Sequence, residues 1–84
     1  MERIAGAGNT EVPAFIVLRD AGFEMSTEIV SGDVQWIARR SDLTLVGDSP
    51  LQLLGLLGVR TERGKAWMAP DAEIEAFLKQ FPQA

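Results

Sequence analysis

The stretch that decides the fold is Phe23-Glu24-Met25-Ser26-Thr27-Glu28-Ile29-Val30, Ser31-Gly32-Asp33, Val34-Gln35-Trp36-Ile37-Ala38-Arg39-Arg40, Ser41-Asp42, Leu43-Thr44-Leu45-Val46-Gly47. Its first run alternates. Phe23, Met25, Thr27 and Ile29 take one side, and Glu24, Ser26 and Glu28 take the other. Side chains in a strand point alternately to opposite faces, so this period of two marks a half-buried strand. Ser31-Gly32-Asp33 is turn chemistry. The next run alternates again, with Val34, Trp36 and Ala38 on the inner side. Ser41-Asp42 is a second turn, and Leu43-Thr44-Leu45-Val46 is a third run.

The register follows from the turns. A two-residue loop at Gly32-Asp33 pairs Ile29 with Trp36, both inward, and Ser26 with Arg39, both outward. A two-residue loop at Ser41-Asp42 pairs Ala38 with Leu45 and Trp36 with Gly47, leaving room for the indole over a glycine. All three strands then keep one apolar face, as an antiparallel meander requires.

Working outward, Asn9-Thr10-Glu11-Val12-Pro13 reads as a helix start. Asn9 or Thr10 caps free N–H groups, Glu11 suits the positive end of the dipole, and Pro13 lies in the first turn. Residues 12–18 are apolar on all sides and fit a helix or a buried strand; the caps favour a helix that stops at Gly22. Beyond the strands, Ser49-Pro50 opens a second helix filled by Leu51, Leu53, Leu54, Leu56 and Leu57 and ended at Gly58. Residues Arg60 to Gly64 read as a polar turn, and Lys65-Ala66-Trp67-Met68 as a short strand or link. Pro70-Asp71 opens a last helix, in which Ile74, Phe77, Leu78 and Phe81 recur at i, i+3, i+4 and i+7. Residues 1–9 form a flexible lead, and 10–84 form one domain. The expected fold is a two-layer α+β domain of order α-β-β-β-α-(β)-α, its three- or four-stranded meander covered on one face by helices. The opening αβββα order resembles the double-stranded-RNA-binding fold in topology alone. That family's basic run is replaced here by Ser49-Pro50-Leu51-Gln52, so its function does not carry over.

Composition narrows the function classes. The 84 residues contain no Cys, His or Tyr, and twelve acidic against eight basic side chains leave a net charge of −4. Disulfides, sulfur-based zinc sites and nucleophile–His triads are excluded within this chain. The acidic balance argues against nucleic acid, and no apolar run approaches the ~20 residues that span a bilayer. The start, Met1-Glu2-Arg3-Ile4-Ala5-Gly6, lacks a basic region followed by an apolar stretch, so a cytoplasmic location is expected.

Several motifs fall short of chemistry. Gly58 to Lys65 has five residues between its glycines where a P-loop has four, and Ala66 stands where the magnesium-binding hydroxyl belongs. Ser49 in Gly47-Asp48-Ser49 has no histidine to activate it and reads as a cap. Asp33, Asp42 and Asp48 stand in separate turns without metal-site spacing. Leu53-Leu54-Gly55-Leu56-Leu57 matches an LxxLL docking pattern, but a domain this small needs those leucines for its core. Gly55 inside that helix is expected to permit close packing, on Trp36 or Trp67.

Two candidate sites remain. Arg60, Arg63 and Lys65 beside Trp67 form a cationic cluster suited to a carboxylate or phosphate, with the indole as a stacking wall; Arg39 and Arg40 are possible additions. Val30, Ile37, Arg39 and Val46 lie on the outer sheet face and form a candidate contact patch. The expected function is a non-enzymatic interaction or regulatory module that meets a protein partner or its own copy. The alternative is a small anionic-ligand-binding domain. No cofactor and no metal is expected.

Overall fold

The computed structural model describes all 84 residues. Residues 8–10 form a single 3-10 turn, followed by α1 (Glu11–Asp20), β1 (Glu24–Val30), β2 (Asp33–Arg40), β3 (Leu43–Gly47), α2 (Pro50–Arg63) and α3 (Asp71–Gln80). The chain is thus an α+β domain of order α-β-β-β-α-α, with one antiparallel sheet in the order β1-β2-β3. None of its helices is long and apolar enough to cross a membrane.

Residues 12–18 are helical. α1 ends at Gly22, whose φ of +94° suits a residue without Cβ. The Phe23 N–H bonds the Leu18 carbonyl at 3.1 Å and the Gly22 N–H bonds that of Arg19 at 3.0 Å, the pair of bonds that closes a Schellman end. The helix start differs from expectation. Thr10 does not cap α1; its hydroxyl bonds back to Ala7 instead, and its own backbone is already helical. The Glu11 side chain reaches out from α1 and accepts the Leu51 N–H at 2.8 Å. It therefore caps α2, together with Ser49, which accepts the Gln52 N–H at 3.1 Å.

The first hairpin turns one residue earlier than expected. Its loop is Ser31-Gly32, with φ of +53° and +85°. A turn with positive φ at both central residues matches the right-handed twist of the flanking strands. Ile29 consequently pairs with Val34, Thr27 with Trp36, and Glu24 with Arg39. The shift is two residues in register, so every side chain keeps its face. The second hairpin pairs Ala38 with Leu45 and Trp36 with Gly47, as expected. The space above Gly47 is filled by the Gln52 carboxamide and by Leu53, whose Cδ2 lies 3.2 Å from where a Cβ would stand. The absence of a side chain there admits α2 rather than the indole.

α1 and α2 cover one sheet face and enclose Leu18, Phe23, Ala38, Leu45 and Leu53. Leu54, Leu56 and Leu57 pack against that cluster, so the LxxLL leucines belong to the core. The cover is short. Ile29 and Val34 point to the same face but lie beyond the helices, 67% and 51% exposed. α3 was expected to complete the cover and does not: no α3 residue is buried, and it makes no extensive packing contact with another element.

Two glycines in α2 behave otherwise than expected. Gly58 does not end the helix, which runs on to Arg63 and stops at Gly64, φ +80°. Gly55 is exposed, with open space where its Cβ would be, and brings no element closer. Gly55→Ala should therefore stabilise the fold by about 1 kcal/mol, the helix-propensity difference. Leu53→Ala should destabilise it by about 2–5 kcal/mol through the cavity it leaves. Denaturant midpoints of the two variants check both signs.

Candidate functional site

The longer α2 places Arg60 on a helix. Arg60 follows Leu56 by four residues, so it continues the core-facing stripe by one turn. Past Gly64 the chain turns back along β3 without forming a strand. No backbone hydrogen bond joins residues 64–70 to β3, so the optional fourth strand at Lys65–Met68 is absent. β3 is left as an open edge.

A groove of about 350 Å³ runs along that edge. Leu43, Leu45, Val46, Leu56 and Trp67 give it an apolar lining, and Thr44, Arg60 and Lys65 supply a hydroxyl and two cations. Three of the four members of the predicted cationic cluster are thus together. Arg60 is half-buried, Lys65 exposed, and Trp67 38% exposed. Neither Arg60 nor Lys65 has a carboxylate within ion-pair distance; the ion pairs of the fold are Arg19–Asp20, Arg40–Asp42 and Arg63–Glu73. The groove therefore holds two uncommitted positive charges beside an aromatic ring, with no carboxylate in its lining. Its chemistry is attraction for anions and apolar side chains.

Arg63 is the fourth member and lies elsewhere. Its guanidinium reaches Glu73 at 2.6 Å and ties α2 to α3. Arg40 is also committed. It donates to Asp42 at 2.7 Å, reaches the Ala21 carbonyl at 3.2 Å, and lies 4.5 Å from the centre of the Phe23 ring. It anchors the β2–β3 turn against the end of α1.

β3 is the inviting edge for a chemical reason. Leu43 to Gly47 carries no charge, whereas β1 presents Glu24 and Glu28 on the outer face, and charged side chains discourage edge pairing. Arg40 and Leu43 flank a two-residue loop, where residues bond each other across the hairpin. By alternation Leu43, Leu45 and Gly47 bond to β2, and the backbone groups of Thr44 and Val46 point away from the sheet.

The predicted outer-face patch divides. Ile37 is only 5% exposed, so it is no contact residue. It occupies the middle of the central strand between Ser26 and Val46, where neighbours on both sides shield it. Val46, 45% exposed, belongs also to the groove. Arg39 is exposed between Glu24 and Thr44. Val30 stands four residues along from Ser26, about 13 Å away at strand rise. A second hollow of about 330 Å³ lies between α1 and the start of α2, lined by Val12, Phe15, Trp36 and Pro50. Its charged member, Glu11, is already bonded to Leu51.

Which strand edge is open, and the apolar wall beside it, were not read from the sequence. The available signal was the uncharged stretch Leu43 to Gly47 followed by a helix with Arg60 on its core side. The chain matches no protein-family model, no curated protein and no solved structure.

The Asp42 carboxyl is held below its usual value of 3.8, first by the hydrogen bonds from Arg40, then by a backbone bond, with the charges of Arg40 and Arg60 adding to the effect. A carboxyl with a lowered folded pKa adds stability above its ordinary value and loses it as pH falls through the folded value. Asp42→Asn should therefore reduce the stability lost between neutral pH and about pH 3, compared with the parent chain. Urea midpoints at the two pH values measure this difference.

Proposed function

We propose that this chain is a non-enzymatic interaction module that binds an extended, acidic segment of a protein partner along the open edge of β3. One observation carries the reading: Arg60 and Lys65, neither of which forms an ion pair, both line the one uncharged free strand edge. An added strand would bond the outward backbone groups of Thr44 and Val46. Its carboxylates would meet Arg60 and Lys65, and its apolar side chains would lie against Val46 and Trp67. Main-chain bonds supply affinity in this mode, and the flanking side chains supply selectivity.

The groove volume supports a second reading. About 350 Å³ lies within the range of small-ligand pockets, so a free carboxylate or phosphate compound held by Arg60 and Lys65 is the alternative. The two readings differ at the strand backbone. A peptide orders the Thr44 and Val46 amides; a small anion touches only the cationic side.

Titration of the labelled chain separates them, using a blocked peptide of alternating Glu and Val, then citrate, then inorganic phosphate. The peptide should shift the Thr44 and Val46 amides and slow their hydrogen exchange. Its affinity should fall at least tenfold in Arg60→Ala Lys65→Ala, and should weaken with salt. Saturation by citrate or phosphate with Thr44 and Val46 unmoved would transfer the site to the second reading. No response to any of the three would remove both.

A further inference from the structure

α3 is the least explained element of the fold. Ile74, Phe77, Leu78 and Phe81 form a stripe on one side, 45–52% exposed. Phe77 and Phe81 lie against each other with centroids 5.6 Å apart, and both stay about half exposed. Met68, just before the helix, is 72% exposed and extends the apolar surface. The helix is held to the body by the Arg63–Glu73 pair, which involves neither Phe. An amphipathic helix gains its stability in water mainly from the packing of its apolar face, and this face is unpacked within one copy.

The surface area indicates how much is missing. The chain exposes 6707 Å². A folded monomer of 9.2 kDa is expected to expose roughly 4,900 Å² from the scaling of area with mass. The excess is roughly 1,800 Å² per copy, shared among the exposed residues 1–9, the link at 64–70 and α3. A standard interface takes about 800 Å² from each partner, less than half of that excess. The radius of gyration tells the same story: 15.1 Å against roughly 12 Å for 84 residues.

We infer that two copies of this chain associate through the apolar stripe of α3, helix against helix and antiparallel. The stripe contains no charge, so it is self-complementary about a two-fold axis. Asp71 and Glu73 flank it near the helix start. The antiparallel arrangement sends these acids to opposite ends of the interface and opposes the two helix dipoles, whereas a parallel one gathers four carboxylates. None of the stripe residues lines the β3 groove, so the two proposals are tested separately.

Sedimentation equilibrium on the full chain tests the inference. The parent should have twice the 9.2 kDa chain mass at micromolar concentration, and Phe77→Glu should have the monomer mass with an unchanged amide spectrum for residues 23–47. The chain has no cysteine, which allows a second test independent of that variant. Phe77→Cys on the stripe should oxidise to a covalent dimer, while Lys79→Cys on the opposite side of the helix should not. A parent that stays monomeric, or a dimer that survives Phe77→Glu, would overturn the inference. Dissociation by Arg60→Glu as well would seat the stripe in the partner's groove and overturn the helix-to-helix form.

Discussion

Leu18 and Leu53 are completely buried, and with Phe23, Ala38 and Leu45 they close α1 and α2 onto one sheet face. That small apolar cluster is the constraint on which the remaining geometry rests. It seats α2 across β3, and its seat depends on Gly47, where no side chain stands between the strand and Leu53. Glu11 and Ser49 fix the start of α2 from two sides, so the helix leaves in a defined direction. Arg60, one turn past the cluster, then has one place to go: beside the β3 edge.

The cations of the fold divide into committed and uncommitted groups, and the division makes the site. Arg40 bonds Asp42 and the end of α1, while Arg63 bonds Glu73. Exposed pairs of this kind contribute little energy individually, but they settle orientation: one fixes the β2–β3 turn and the other sets the course of the chain into α3. Arg60 and Lys65 form no ion pair and line the β3 groove. The same economy applies to apolar surface. The inner leucines are covered by the chain itself, whereas the α3 stripe stays half exposed.

Much of this was legible in the residues. Alternation in 23–47 identified three strands and their inner faces, and a two-residue error in the first register left those faces intact because the period is two. Gly22, Ser49 and Pro50 marked helix limits correctly, since each answers a local backbone requirement. Arg60, Lys65 and Trp67 were picked out as neighbours from their closeness in sequence. Local rules failed where two options were locally equal. Ser31-Gly32 and Gly32-Asp33 are both good turns, and the twist of the strands chose between them. Gly58 looks like a stop, but the packing of Leu56 and Leu57 on the core carries the helix through it.

The sequence by itself determined the α+β order, the face of each strand and the absence of sulfur and imidazole chemistry, because these depend on residue type and short-range periodicity. Tertiary structure alone decided which charges are free, which edge is open and which apolar stripe is uncovered. Arg63 and Arg60 differ by three residues and are the same amino acid, but Glu73 comes within reach of only one. Ile37 and Val46 are both apolar and share a face, but the central strand hides the first while the edge displays the second. Such distinctions rest on what lies across space from a residue, and neither side chain carries that information in its own chemistry or spacing.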